Sequence, residues 1–258
     1  MPHFYVDDSV QDRGDFVLGA VVFGPDAEVA VSEAIEKAGL RPGVDEFKSS
    51  VRMSQHPEQV KLREDPRYLL HGYRIGVLVV PRSERSNLGH YALQAVDQFS
   101  NANGLRSEPD LQLFLDEGMF ASNASMSQSV VAIGIDRYCS VHPEQDSREI
   151  KGLQLADLAA HTAGLMLPDS LGLLKKVVRA GDKSGYEPDT EIELGFEMWA
   201  SLRYQFFSAG PVPDQDPVYN GALTKVGSNG LFIAPSCDDR LRAAAIDRFD
   251  DRYWGCIH

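Results

Sequence analysis

The chain has 258 residues, of which 43% are hydrophobic, 24% charged and 9% aromatic. That suffices for one or two domains with a sizeable core and excludes collagen-like, low-complexity and disordered classes. The formal charge is −13, from 38 acidic against 25 basic residues. This excludes coating of nucleic acid by bulk electrostatics, because that affinity comes from Lys and Arg neutralising phosphates. A metal-dependent nuclease remains open, since its site must concentrate carboxylates and needs only a local basic path.

Residues 3–7 (HFYVD) and 16–24 (FVLGAVVFG) read as two strands joined by a polar hairpin loop. The second run is apolar without alternation, which predicts burial on both faces. Residues 26–38 read as a helix, with Asp26 as cap and Gly39 as stop. The irregular stretch 40–56 contains VDEFKSS. Residues 57–71 read as a helix that Pro66 should kink or divide. A strand at 74–80, a helix at 86–103 and a strand at 110–116 (DLQLFLD) follow. The pattern at 122–134 fits helix and strand equally. Residues 152–167 (GLQLADLAAHTAGLML) form a strongly apolar helix that should stop at Pro168.

Strands and helices alternate up to about residue 167, which predicts an α/β layered core over 1–168. Beyond it, 170–208 reads as mostly helical, and 209–236 is rich in Gly, Pro and Asn with a strand at 231–234. A final charged helix covers 238–253. This part, 169–258, is expected to be a C-terminal extension packed on the core. There is no internal repeat.

No apolar run approaches the ~20 residues of a membrane span, so no membrane association is expected. The start MPHFYVDDS lacks a basic segment followed by an apolar one, as a signal peptide would have. Cys139, Cys237 and Cys256 are odd in number and far apart, and the expectation is reduced thiols in a cytoplasmic protein.

Three acids stand at informative places. Asp7 and Asp116 end strands, and sites in open α/β sheets gather at the carboxyl ends of strands. Each also fits a capped turn. Asp157 lies between Leu155, Ala156, Leu158 and Ala159, where an unpaired buried charge is costly. An Arg or a metal would offset that cost. Glu46 and Lys48, in DEFKSS, also fit a solvated surface pair.

Taken in order, YVDDS, FVLGAVVF, EFKSS, LFLDEG and GLQLADLAAH resemble the landmarks of the domain-of-unknown-function family 3800, which is considered ribonuclease H-like. The resemblance covers roughly residues 3–167. The chain departs at Asp8, where the family usually has Glu, and at Val10, where it often has Gly. The resemblance implies a ribonuclease H-like mixed sheet flanked by helices, with Asp7, Glu46, Asp116 and Asp157 around divalent metal. Mg²⁺ or Mn²⁺ suits such an all-carboxylate set better than zinc. Two such ions can hydrolyse a phosphodiester. The family's frequent mobile-element and phage-defence settings are an association only.

Helical spacing adds that Gln154, Asp157 and His161, at i, i+3 and i+7, share a helix face. If Asp157 is a ligand, Gln154 and His161 face the same crevice, and His161 is a candidate proton shuttle to the leaving oxygen. A polar residue at the helix edge is the other reading. Residues 45–74 hold six basic residues against five acidic ones. A phosphate path is expected on Lys48, Arg52, Lys61, Arg63 and Arg67, with Lys48 bridging it to the acids. Lys175, Lys176 and Arg179 form a second basic group on an expected helix.

There is no GxxxxGK[ST] loop, no GxGxxG and no GxSxG elbow. Cys139 with His142, and Cys256 with His258, match no recognised zinc pattern. YVDDS superficially matches an aspartyl phosphatase, but Ser9 stands where that chemistry needs a second acid. The leading expectation is a metal-dependent nuclease acting on RNA or DNA, alone, as a homo-oligomer or with a protein partner. A non-catalytic subunit of a larger assembly and a small-molecule phosphatase are the alternatives.

Overall fold

Alternation of buried and exposed side chains, interrupted by turn residues, sets out the elements in the computed structural model. It describes residues 1–49, 51, 55–180, 186–212, 223–250 and 252–255, with the backbone alone at 61, 63, 64, 66, 223, 224 and 252–255. The first 165 residues carry strands β1 (Pro2–Gln11) and β2 (Phe16–Pro25), helices α1 (Glu28–Lys37) and α2 (Pro57–Leu69), and strand β3 (Arg74–Pro81). Helix α3 (Leu88–Ala102), strand β4 (Leu111–Asp116), helix α4 (Asn123–Ile133), strand β5 (Cys139–Gln145) and helix α5 (Gly152–Gly164) follow. The remainder comprises α6 (Met166–Ser170), β6 (Val177–Arg179), β7 (Glu191–Glu193), α7 (Leu194–Leu202), β8 (Ser208–Pro211) and β9 (Leu223–Ser228). It ends with β10 (Leu231–Ile233), α8 (Asp239–Phe249) and β11 (Arg252–Gly255).

The molecule is α/β, with a mixed six-stranded sheet in the order β10-β3-β2-β1-β4-β5. β1, β2 and β3 form an antiparallel meander. β4 runs parallel to β1, and β5 parallel to β4. β10 closes the other edge, parallel to β3, so the last third of the chain contributes to the main sheet. Two smaller sheets, β11-β9-β8 and the β6-β7 hairpin, stand apart. The apolar run in β2 is buried on both faces, as its lack of alternation predicts.

Helices cover both sides. On one face Phe4 lies beside Phe23, their ring centroids 4.6 Å apart. Phe207 bridges that layer to Phe99 of α3. On the other face α5 lies against β1 so closely that a Cβ on Gly152 would come within 2.2 Å of the Tyr5 ring. Only glycine permits that approach. At the far end of α5, a Cβ on Gly164 would meet Gln11 at 2.6 Å. The helix therefore tracks the strand along its length, on the face that also carries Tyr5, Asp7, Ser9 and Gln11 by two-residue alternation. No helix among the described residues is long and apolar enough to cross a membrane.

Several local expectations are corrected. Ala27 occupies the N-cap of α1, and Asp26 instead accepts a hydrogen bond from the Glu28 amide at 2.9 Å. α2 continues through Pro66, held by the burial of Leu62 and by packing against α1 and α5. α5 ends at Gly164, and Pro168 lies inside α6 rather than before a break. It occupies the third position there, where the amide has no intrahelical acceptor to lose. Among the described residues of 171–208, most are not helical: Val178 pairs with Ile192 across β6 and β7, and α7 is the one helix there. The ambiguous 122–134 is helical, with Ser122 and Ser125 in a capping box and Gly134 left-handed at φ 75°. Cys139 and Cys237 are free, buried thiols, and burial pushes them up to about 12 and about 11. Cys256 and His258 lie outside the described residues.

Candidate metal centre

The β1–β4 pairing brings two acids side by side. Val6 lies opposite Leu115 in a parallel register, so the next residues, Asp7 and Asp116, are neighbours. Both project from the face that carries Tyr5 and Phe114, whose rings stack at 5.7 Å. That face is covered by α5. Asp157 and Gly164 are seven residues apart on one face of the helix, a rise of about 10 Å. Asp7 and Gln11 are four residues apart on the strand, about 13 Å. With Gly164 seated on Gln11, Asp157 is carried to the level of Asp7.

The electrostatics report the same neighbourhood. Burial pushes Asp7 well above the usual carboxylate range, and the charges of Asp116 and then Asp157 push it further. Its Oδ1 accepts the Asp8 amide at 2.6 Å, which opposes the shift. Asp116 is pushed up to about 6, chiefly by burial. The Lys48 ammonium and a hydrogen bond with Asp7 hold it lower than burial alone would. A carboxyl pair joined this way shares a proton and titrates as a unit. Asp157 is also raised by burial, and Ser49 restrains it. The Ser49 amide donates to Asp157 Oδ2 at 2.7 Å, and the Ser49 hydroxyl to Oδ1.

Glu46 and Lys48 reach this region from the loop before α2. Phe47 between them is fully buried and anchors the loop in the core. Two buried glutamines hold the backbone on either side. Gln59 accepts from the Lys48 amide at 3.3 Å and donates to the Glu46 carbonyl at 2.9 Å. Gln154 accepts from the Phe47 amide and donates to the Ser147 carbonyl, each at 2.8 Å. The Glu46 carboxylate accepts from the Ser147 hydroxyl and lies 3.4 Å from Lys48 Nζ. Burial alone would lower the Lys48 pKa, but Glu46, Asp116 and Asp157 together raise it. Its ammonium is thus the counter-charge to three of the four acids.

Asp7, Asp116 and Asp157 are brought within electrostatic reach of one another, and Asp157 also feels Glu46. Among the described residues, no three His, Cys, Asp or Glu side chains stand close enough to hold a metal ion as placed. The oxygens of Asp157 and Glu46 are turned to Ser49, Ser147 and Lys48.

The other expected residues are dispersed. Gln154 is buried and fully engaged in stapling loops rather than facing an open crevice. His161 lines a cavity of about 710 Å³ with Leu158 and Thr162, and none of the four acids lines it. One turn beyond Asp157, the helix has carried that side chain some 6 Å along its axis. Arg67 lines the same cavity and pairs with Glu197 at 2.8 Å. Arg52 and the side chains of Lys61 and Arg63 lie outside the described residues.

The sequence reading missed Ser49, Ser147 and Gln59. The signal for Ser49 was the phrase EFKSS, which puts a hydroxyl three residues after Glu46. Asp8, beside Asp7, lies 3.7 Å from Arg85 and is likewise raised by burial. No family model matches the chain, and no curated protein matches it.

Proposed function

We propose that the protein is a metal-dependent nuclease with a ribonuclease H-like fold, hydrolysing phosphodiester bonds at the crevice between β1, β4 and α5. The observation that carries this reading is the gathering of Asp7, Asp116 and Asp157 on one face of the sheet. Around it the sheet has an antiparallel β1-β2-β3 meander extended by parallel β4 and β5. Partly buried like charges raise one another's pKa, and Lys48 is one cation against four acids, so a metal ion would offset the charge that remains. The donors are all oxygens, which fits hard Mg²⁺ or Mn²⁺.

Asp7, Glu46, Asp116 and Asp157 would hold a divalent ion, which would supply activation of water and charge stabilisation at the leaving oxygen. The chain's own part is to set the acids. Asp7 and Asp116 are fixed by strand register, and Asp157 by a helix that glycine seats on β1. Glu46 approaches on a loop anchored by Phe47, Gln59 and Gln154. Lys48 offers a cation to a phosphate oxygen beside the acids, and exchange of its contact with Glu46 releases that carboxylate. His161 remains a candidate proton donor only for a substrate long enough to reach its cavity.

The test is cleavage of end-labelled RNA, DNA and hybrid oligonucleotides by purified protein with Mn²⁺, Mg²⁺ or chelator. Metal-dependent cleavage that Asp7→Asn removes supports the proposal. Equal cleavage by wild type and Asp7→Asn refutes it. Turnover of a small phosphoester without polymer cleavage would favour the phosphatase. The ties from Ser49 and Ser147 to the acids favour a second reading, a non-catalytic subunit. That reading predicts no metal-induced rise in melting temperature.

A further inference from the structure

The 710 Å³ cavity beside the carboxylate crevice has a chemistry of its own. Its wall carries Arg13, Arg67, Lys176 and Arg179 against one acid, Glu197, in a chain whose acids outnumber its bases 38 to 25. These cations come from three distant segments: the β1–β2 turn, α2, and the chain entering and forming β6. The fold has therefore collected them, against their mutual repulsion.

We propose that this cavity binds a nucleoside phosphate, with its phosphate on the basic rim and its uncharged body on the apolar floor. Arg13 and Lys176 form no ion pair among the described residues. Arg179 pairs with Asp189 at 3.0 Å, but the two side chains are 78% and 87% exposed. Such a pair is screened by water and readily exchanged for an anionic ligand. Arg67 is held by Glu197 at 2.8 Å, which orients its planar donor fork. Leu158, Leu165, Leu194 and Met198 form the floor. Inorganic phosphate would leave that surface wet, whereas a nucleoside covers it. The volume falls within the several hundred to about 1,000 Å³ usual for small-ligand sites.

The source of the nucleotide rests on the nuclease reading; its chemistry does not. His161 and Thr162 follow Asp157 by four and five residues, about 6–8 Å along α5. A strand threaded through the crevice could place its terminal nucleotide in the cavity. A free nucleotide presents the same groups.

Titration calorimetry at low salt with chelator present separates these cases. The probes are AMP, inorganic phosphate, and short oligonucleotides with and without a 5′-phosphate. AMP is expected to bind at least about tenfold more tightly than phosphate, the difference one or two buried apolar groups make. Lys176→Ala and Arg13→Ala should each weaken AMP about three- to tenfold and lower the salt slope by about one charge. Asp7→Asn should bind AMP as well as wild type, so failure of the nuclease reading leaves this site standing. If AMP displaces a 5′-phosphorylated oligonucleotide, the strand end is the ligand; if AMP binds and displaces none, the free nucleotide is. No binding of AMP at millimolar concentration by folded protein overturns the proposal. So does unchanged AMP binding by the folded Arg13→Ala/Lys176→Ala double variant.

Discussion

Two neighbouring regions along α5 carry opposite charge and are built in opposite ways. The carboxylate cluster is made of residues fixed by the sheet register, by a helix seated on β1 and by buried glutamines. Its acids are partly buried, and their charges act on one another. The basic cavity is made of a turn, the three helices α2, α5 and α7, and strand β6, and its cations are mostly exposed at the rim. A rigid frame can hold charges that repel, because the packing of the core opposes their separation. An exposed rim holds its cations cheaply, since water screens them. Net charge therefore says little about such a protein, whereas the separation of charge along one helix says more.

Removing the charge of one acid should disturb the carboxylate cluster most. Asp7→Asn and Asp116→Asn should each lower metal-dependent cleavage about a thousandfold or more, the several kcal/mol a metal ion contributes to the transition state. Both should stay folded and melt higher than wild type in chelator, because repulsion within the cluster is relieved. A variant that melts lower in chelator would mean these acids do not repel. Lys48→Ala should lower cleavage about tenfold or more, the scale of one lost charge-assisted contact, and should also weaken oligonucleotide binding. Kinetics with varied substrate separate the two effects.

Gln154→Ala tests whether the frame is as important as the charges. It leaves the Phe47 amide and the Ser147 carbonyl without partners, at about 1–3 kcal/mol for each buried group. Urea unfolding should show this loss, which a rim variant such as Arg13→Ala should not.

The pH dependence of stability is a smaller effect with a definite sign. Burial pushes Asp116, in its pair with Asp7, up to about 6 in the folded protein, against about 3.9 for an unfolded aspartate. Its protonated form is therefore favoured by folding. That contribution is fully present below pH ~4 and is lost as pH rises through 6. The raised pKa of Asp7 and Asp157 acts in the same direction. Metal-free protein should melt higher at pH 5.5 than at pH 7.5, and Asp116→Asn should reduce the difference. Added Mn²⁺ should raise the melting temperature more at pH 7.5 than at pH 5.5, because protons and metal compete for these oxygens. The smallest effect belongs to Arg179→Ala, whose surface pair contributes at most about 1 kcal/mol.

Elements with strong periodicity can be read directly from the sequence. β2, β3, β4 and α5 are legible because their apolar patterns are long and are bounded by Gly, Pro or Asp. Asp157 is conspicuous for the same reason, as a charge inside an apolar helix. β1 does not end at Asp7 as expected but runs on to Gln11, because its polar half pairs with Phe16–Ala20 of β2 and Asp7 lies mid-strand. β5 is not legible, since its seven residues include Pro143, tolerated only because β5 is an edge strand. The β6–β7 hairpin has three residues a side, too few for a pattern. What α5 faces depends on how it packs against the sheet. The spacing of Gln154, Asp157 and His161 gave one helix face. The helix's descent along β1 then sent Gln154 into the loop staple, Asp157 to the acids and His161 to the cavity wall. A helical period fixes angles about an axis, but it cannot say what lies opposite each turn. That depends on strand register and on where glycine allows the helix to approach.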